Sequence, residues 1–121
     1  MTLRLALLGY GFIGKLHHEA ADACQLDVTH ICRRDDDWLS AVRAPDVDAV
    51  VIGTPNAFHY PQTMAALEAG KHVLVEKPMA FTTTEAIAMR DAAAASGRTL
   101  LVGHMWRYRD EVIATRDRIA D

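Results

Sequence analysis

The chain has 121 residues, a net charge of −3, half its residues hydrophobic and 24% charged, which fits one ordinary globular domain with a real core. Its Lys and Arg residues are scattered, and no apolar run approaches the ~20 residues a membrane helix needs, so neither nucleic acid nor membrane is an expected partner. Cys24 and Cys32 form no CxxC pair, and Met1-Thr2-Leu3-Arg4 runs into a strand without a signal-peptide pattern; the expectation is a reduced, cytoplasmic protein.

In chain order, Leu3–Leu8 reads as a short buried strand that leads straight into Gly9-Tyr10-Gly11-Phe12-Ile13-Gly14. A helical pattern (Ile13, Leu16, Ala20, Cys24) follows without a gap. Strand, Gly-x-Gly-x-x-Gly and helix start together are the context expected of a dinucleotide-binding loop. Gly9 allows the tight turn, Gly11 a close approach to a pyrophosphate, and Gly14 close packing of helix on strand. The free N–H groups at the helix start then form an anion site. Taken alone, the loop also reads as a plain strand-to-helix turn that uses glycine.

Apolar β-type runs and helical patterns alternate to the end of the chain, the signature of βαβ units around a parallel sheet. Further strands are predicted at Asp27–Cys32, Ala49–Gly53, His72–Val75 and Thr99–Gly103. Helices are predicted at Ile13–Cys24, Asp36–Arg43, Phe58–Ala69, Thr83–Ser96 and Tyr108–Ala120. Thr82 with Glu85 makes a capping box, Gly70 and Gly97 sit where helix C-caps belong, and Pro61 falls in a first helical turn. The expected fold is α/β, a doubly wound, Rossmann-like parallel sheet of about five strands in one dinucleotide-binding domain, 1–121. Cys32-Arg33-Arg34-Asp35 passes almost at once into Asp36-Asp37-Trp38-Leu39 and then Pro45-Asp46-Val47-Asp48, which leaves room for one short helix and no strand. The third strand of a full dinucleotide-binding half is therefore missing, which predicts the order 2-1-3-4-5 with its switch point intact.

Polar residues cluster at the expected strand ends. Thr54-Pro55-Asn56 follows the third predicted strand, where open α/β sheets place ligands, and reads either as a ribose or phosphate contact or as an Asn/Pro turn with a helix cap. Glu76-Lys77-Pro78 follows the fourth; its Lys suits proton transfer or a hydrogen bond to a reacting hydroxyl, or is a solvated Lys before a turn. Arg33, with Arg34 beside it, stands where an acid that reads the adenosine ribose is expected, roughly 20 residues past the glycine loop. Arg there suits a 2′-phosphate, which favours NADP over NAD, with NAD still open because Asp35 is adjacent. The six His residues have no metal-ligand spacing, so no metal is expected. His17 and His18 read as packing or surface residues, and His59 as a cap for the next helix or a ribose contact. No Gly-x-Ser-x-Gly supports nucleophilic hydrolysis.

Several of these segments, in this order, carry a family resemblance. They are the glycine loop with His17 three residues on, Pro45-Asp46-Val47-Asp48-Ala49-Val50, and Thr54-Pro55-Asn56-x-x-His59. Ala69-Gly70-Lys71-His72-Val73-x-x-Glu76-Lys77-Pro78 and Gly103-His104-Met105-Trp106-Arg107-Tyr108 complete the set. Over nearly its whole length the chain resembles the Gfo/Idh/MocA family of nicotinamide-dependent oxidoreductases. The resemblance implies the cofactor-binding domain of a sugar or polyol dehydrogenase, a dihydrodiol dehydrogenase or a related enzyme. It places Lys77 beside nicotinamide and substrate as the expected catalytic residue, implies a cis Lys77–Pro78 bond, and brings Trp106 and Arg107 near cofactor and substrate, against the alternative of an ordinary strand-to-helix junction. The expected cofactor-binding set is Gly9, Gly11, Phe12, Ile13, Gly14, Arg33, Arg34, Thr54, Pro55, Asn56, His59, Glu76, Lys77, Pro78, Trp106 and Arg107.

In that family a second α/β domain holds the substrate and supplies a His for acid–base work, and this sequence stops at Asp121, where that domain is expected to begin. The expectation is a chain that binds a dinucleotide but turns over little by itself, with a small-molecule substrate only if a second domain is supplied. A free-standing dinucleotide sensor, a subunit completed by a partner, and a decayed fragment are the alternatives. Apolar residues of the last helix (Val112, Ile113, Ile119) are expected to be uncovered and to drive self-association.

Overall fold

The computed structural model describes residues 2–120, so the chain end at Asp121 lies outside the described residues. Five parallel strands, β1 (Arg4–Leu8), β2 (Asp27–Cys32), β3 (Ala49–Ile52), β4 (His72–Val75) and β5 (Leu100–Val102), form one sheet in the order β2-β1-β3-β4-β5. The helices are α1 (Phe12–Ala23), α2 (Trp38–Arg43), α3 (His59–Glu68), α4 (Thr83–Ser96) and α5 (Asp110–Ala120), with 3-10 turns at Asn56–Phe58 and Met105–Tyr108. The expected order is therefore the observed one. From β1 the chain first moves outward to β2 and then returns past β1 to β3. The reversal opens a crevice at the C-terminal ends of β1 and β3, where ligands of such sheets bind.

Side-chain alternation sorts the strands between two faces. Ala6, Leu8, Val50, Ile52, Val73 and Val75 point towards α2, α3 and α4 and close a core with Val42, Ala66, Leu67 and Met89. The opposite face is covered by α1, through Ala21 against Leu5 and Ala49. That cover fades along the cross-strand row Leu7, Val51, Leu74, Leu101: Leu7 is 1% exposed and Leu101 43%. α5 buries no side chain; Val112 and Ile119 are exposed, whereas Ile113 is half-buried.

Helix ends follow local chemistry. Thr82 and Glu85 form the reciprocal capping box at the start of α4. The predicted Asp36 start of α2 moves to Trp38 because Asp37 is its N-cap and accepts from the Ser40 N–H. The predicted start of the last helix moves from Tyr108 to Asp110 because a 3-10 turn takes up Met105–Tyr108. At the C-terminus of α3, Gly70 has φ +75° and the Lys71 N–H reaches back to Ala66, a Schellman motif. α1 ends the same way, with Leu26 N–H on Ala21 and Gln25 N–H on Asp22, but the left-handed position is Gln25 at φ +57°.

Candidate functional site

The crevice is built around the loop from β1 to α1. Gly9 has φ +87°, its N–H donates to the Cys32 carbonyl, and a Cβ on it would stand 2.7 Å from the Gly53 oxygen. Gly14 is buried, and a Cβ there would collide with the Gly9 carbonyl. These two glycines press α1 and β3 against the loop. Gly11 differs: nothing lies within 4 Å of a Cβ placed on it, so it faces open space. It is also the N-cap of α1 and supplies no side-chain cap, which leaves the first N–H groups of that helix for a ligand. The backbone at this point fits a diphosphate.

A cavity of about 950 Å³ opens from the loop and runs towards β2. Arg33, Arg34 and Asp35 line its outer wall, and Thr54, Pro55 and Gln62 line the wall towards β3. The Arg33 guanidinium lies over the Tyr10 ring, 5.2 Å from its centroid, and the Tyr10 hydroxyl is hydrogen-bonded to His18 at 2.7 Å. The Arg33 N–H donates to Asp36, so backbone and side chain of Arg33 are both held. Cys32 closes the floor, and burial pushes its thiol pKa up, with Asp36 and Asp37 adding to the effect; the floor stays neutral.

Beyond β3 the edge carries a second group of residues. Three strand spacings, ~14 Å, separate the end of β2, with Arg33, from the end of β4, with Lys77. Lys77 is exposed and its bond to Pro78 is cis. Two residues of the expected cofactor-binding set, His59 and Glu76, are engaged in contacts within the protein. His59 is 1% exposed, and its ring nitrogens lie 2.9 Å from the Thr54 carbonyl and 2.7 Å from the Pro78 carbonyl, so the ring bridges two strand-end loops. Glu76 is buried, its Oε1 lies 2.8 Å from His17 Nε2, and its carboxylate packs on Gly103. Both side chains link the strand-end loops to their surroundings. Trp106 and Arg107 are exposed in the turn after β5, one strand beyond Lys77, and Arg109 rather than Arg107 covers the Trp106 ring at 4.8 Å. Phe12 is 82% exposed at the start of α1, Ile13 packs on Gly53, and Asn56 is exposed in its 3-10 turn. Among the described residues no group of three or more His, Cys, Asp or Glu converges on a point that could hold a metal ion.

The family model for an oxidoreductase family with an NAD-binding Rossmann fold, GFO_IDH_MocA, matches residues 34–104, more than half of the chain. The chain belongs to the Gfo/Idh/MocA family. An uncharacterized oxidoreductase of Escherichia coli (strain K12), YdgJ, is 32% identical over 99% of this chain and 39% of its own length. The scyllo-inositol 2-dehydrogenase (NADP(+)) IolW of Bacillus subtilis (strain 168) is 29% identical over 99% of this chain and 38% of its own. A solved NAD binding oxidoreductase from Klebsiella pneumoniae superposes with a TM-score of 0.85, at 29% identity, over 99% of this chain and 39% of that one. The chain thus spans about two fifths of the relatives it matches, the part that is their NAD-binding Rossmann fold.

Within this Gfo/Idh/MocA domain the cavity gathers Gly9, Gly11, Arg33, Arg34, Thr54 and Pro55 of the expected set. It does not gather Glu76, Lys77, Pro78, Trp106 or Arg107, which stand along the edge towards β5. Tyr10, Trp38 and Gln62 line the cavity without having been expected there. Tyr10 is a variable position of the glycine motif, and Gln62 lies one helical turn after His59; neither has a sequence signal of its own. His17 was legible as a motif position but not as the partner of Glu76, which lies 59 residues away.

Proposed function

We propose that the chain binds NADP in preference to NAD and serves a dehydrogenase that acts on a sugar, polyol or related hydroxy or carbonyl compound. Arg33 carries the cofactor choice. Its guanidinium is held on Tyr10 at the mouth of a cavity that begins at the glycine loop, where an adenosine 2′-phosphate would meet it. In this reading the loop N–H groups of α1 hold the diphosphate, and Thr54 with Pro55 flank the ribose. A bound nicotinamide supplies the hydride chemistry. Lys77 then donates a hydrogen bond from Nζ to the reacting oxygen of the substrate, which assists its proton transfer. His59 and the His17–Glu76 pair keep the loop that bears Lys77 in place.

The substrate class is supported by relatives named inositol 2-dehydrogenase, from Rhodococcus erythropolis, and 1,5-anhydro-D-fructose reductase, from Ensifer adhaerens. Positioning a substrate carbon against the nicotinamide supplies much of the rate in hydride transfer. This chain spans about two fifths of its relatives, so in this reading the remaining groups that position the substrate come from outside these residues. A reducing, cytoplasmic setting agrees with its two free cysteines. Titration with NADPH and NADH tests the cofactor choice: NADPH binds more tightly, and Arg33→Asp reverses the preference. Tighter binding of NADH by the wild type would overturn it.

A further inference from the structure

The cavity holds one polar group that neither the glycine loop nor the arginines explain. Gln62 is 2% exposed, in the first turn of α3, yet it lines the cavity. The Thr54 hydroxyl donates its single hydrogen to Gln62 Oε1 at 2.6 Å. That contact uses the carbonyl side of the carboxamide and fixes its rotation. Among the described residues its Nε2 makes no hydrogen bond, and it is not one of the fully buried unpartnered atoms, so this donor keeps open contact where Gln62 lines the cavity. A buried donor without a partner is costly, whereas one presented to a ligand becomes a recognition element.

The surroundings select the ligand chemistry. Trp38, half-buried, and Phe58, 47% exposed, line the same cavity, so the donor stands in a region with aromatic walls. A phosphate is better served by the loop N–H groups and by Arg33 and Arg34, which lie elsewhere on the wall. A neutral amide donor among aromatic faces suits a flat heteroaromatic base with an unprotonated ring nitrogen. We propose that Gln62 Nε2 donates a hydrogen bond to a ring nitrogen of the cofactor's adenine, with Thr54 as the residue that orients it. The assignment rests on the dinucleotide reading above and adds the base contact to it.

The test uses ADP and its 1-deaza, 3-deaza and 7-deaza-adenine analogues, titrated against the whole chain by calorimetry. Wild type binds one of the three analogues about fivefold more weakly than ADP, the size of one neutral hydrogen bond. Gln62→Met binds ADP more weakly by the same factor and no longer distinguishes that analogue. If all three analogues bind wild type as tightly as ADP, the assignment to Gln62 is overturned, whatever the variant does. Equal affinity of folded Gln62→Met and wild type for ADP overturns it as well. Failure of wild type to bind ADP or NADPH at all would instead overturn the dinucleotide reading.

Discussion

Nε2 of His17, on α1, lies 2.8 Å from Oε1 of Glu76, at the end of β4, and joins the first helix to the strand end that precedes Lys77. The Glu76 side chain is only 9% exposed, so removal of its partner leaves a carboxylate short of a hydrogen bond in a poorly hydrated place. We expect His17→Ala to lower the unfolding free energy by about 1–3 kcal/mol in urea titration. Glu76→Gln in the same background should recover part of that, because the charge is gone. Unchanged stability of His17→Ala would mean the contact holds nothing.

The Arg33–Tyr10 stack predicts a graded series. Arg33→Asp removes the charge proposed to meet the 2′-phosphate and should weaken NADPH binding by roughly 10–100-fold, the equivalent of about 1.5–3 kcal/mol. Tyr10→Leu keeps the charge but removes the ring beneath it, at 5.2 Å in the wild type, so a smaller loss is expected. NADH binding should change little in Tyr10→Leu. Equal losses for both cofactors would assign Tyr10 to general packing.

Gln25 occupies a left-handed position, φ +57°, where the equivalent residue after α3 is Gly70. A side chain at such an angle costs about 1–2 kcal/mol relative to glycine, part of which the greater unfolded-state freedom of glycine offsets. Gln25→Gly should therefore stabilise the fold by up to about 1 kcal/mol. Thermal unfolding of the two proteins decides it; a lower melting temperature for the variant would contradict the strain argument.

Asp48 accepts hydrogen bonds from the Arg4 side chain and backbone N–H, which hold its carboxyl well below the usual carboxylate range. Asp46, hydrogen-bonded by His30, is shifted the same way. A carboxyl depressed in the folded state stabilises at pH values above its unfolded pKa, about 4, and that contribution is lost as pH falls below it. Melting temperature should therefore drop on acidification below about pH 4. Asp48→Asn should be less stable than wild type at neutral pH, with the gap closing in acid. A gap that stays constant with pH would exclude the ion pair as its cause.

Leu101, Trp106, Val112 and Ile119 are exposed around β5 and α5. Apolar surface of this kind drives association, so light scattering should report a mass that grows with protein concentration. Ile119→Lys should reduce the effect. A concentration-independent monomer would contradict it.

Much of this protein follows from local sequence. The strand positions, the order 2-1-3-4-5, the capping box at Thr82, the glycine C-caps and the glycine loop are short-range consequences of apolar runs, turn residues and segment lengths. Arg33 and Thr54 were legible as cavity residues for the same reason: strand ends in a doubly wound sheet face one crevice. Side-chain direction at those ends was not. His59 and Glu76 sit in ligand-like positions, yet the fold turns one onto two carbonyls and the other onto His17, because buried polar groups must be paired by whatever the packing brings near. Gln62 and Tyr10 reach the cavity only because α3 and α1 are set against the sheet at particular rotations. Sequence spacing determined which loops meet; the tertiary structure decided which side chains of those loops line the cavity, since that depends on contacts between residues far apart in the chain.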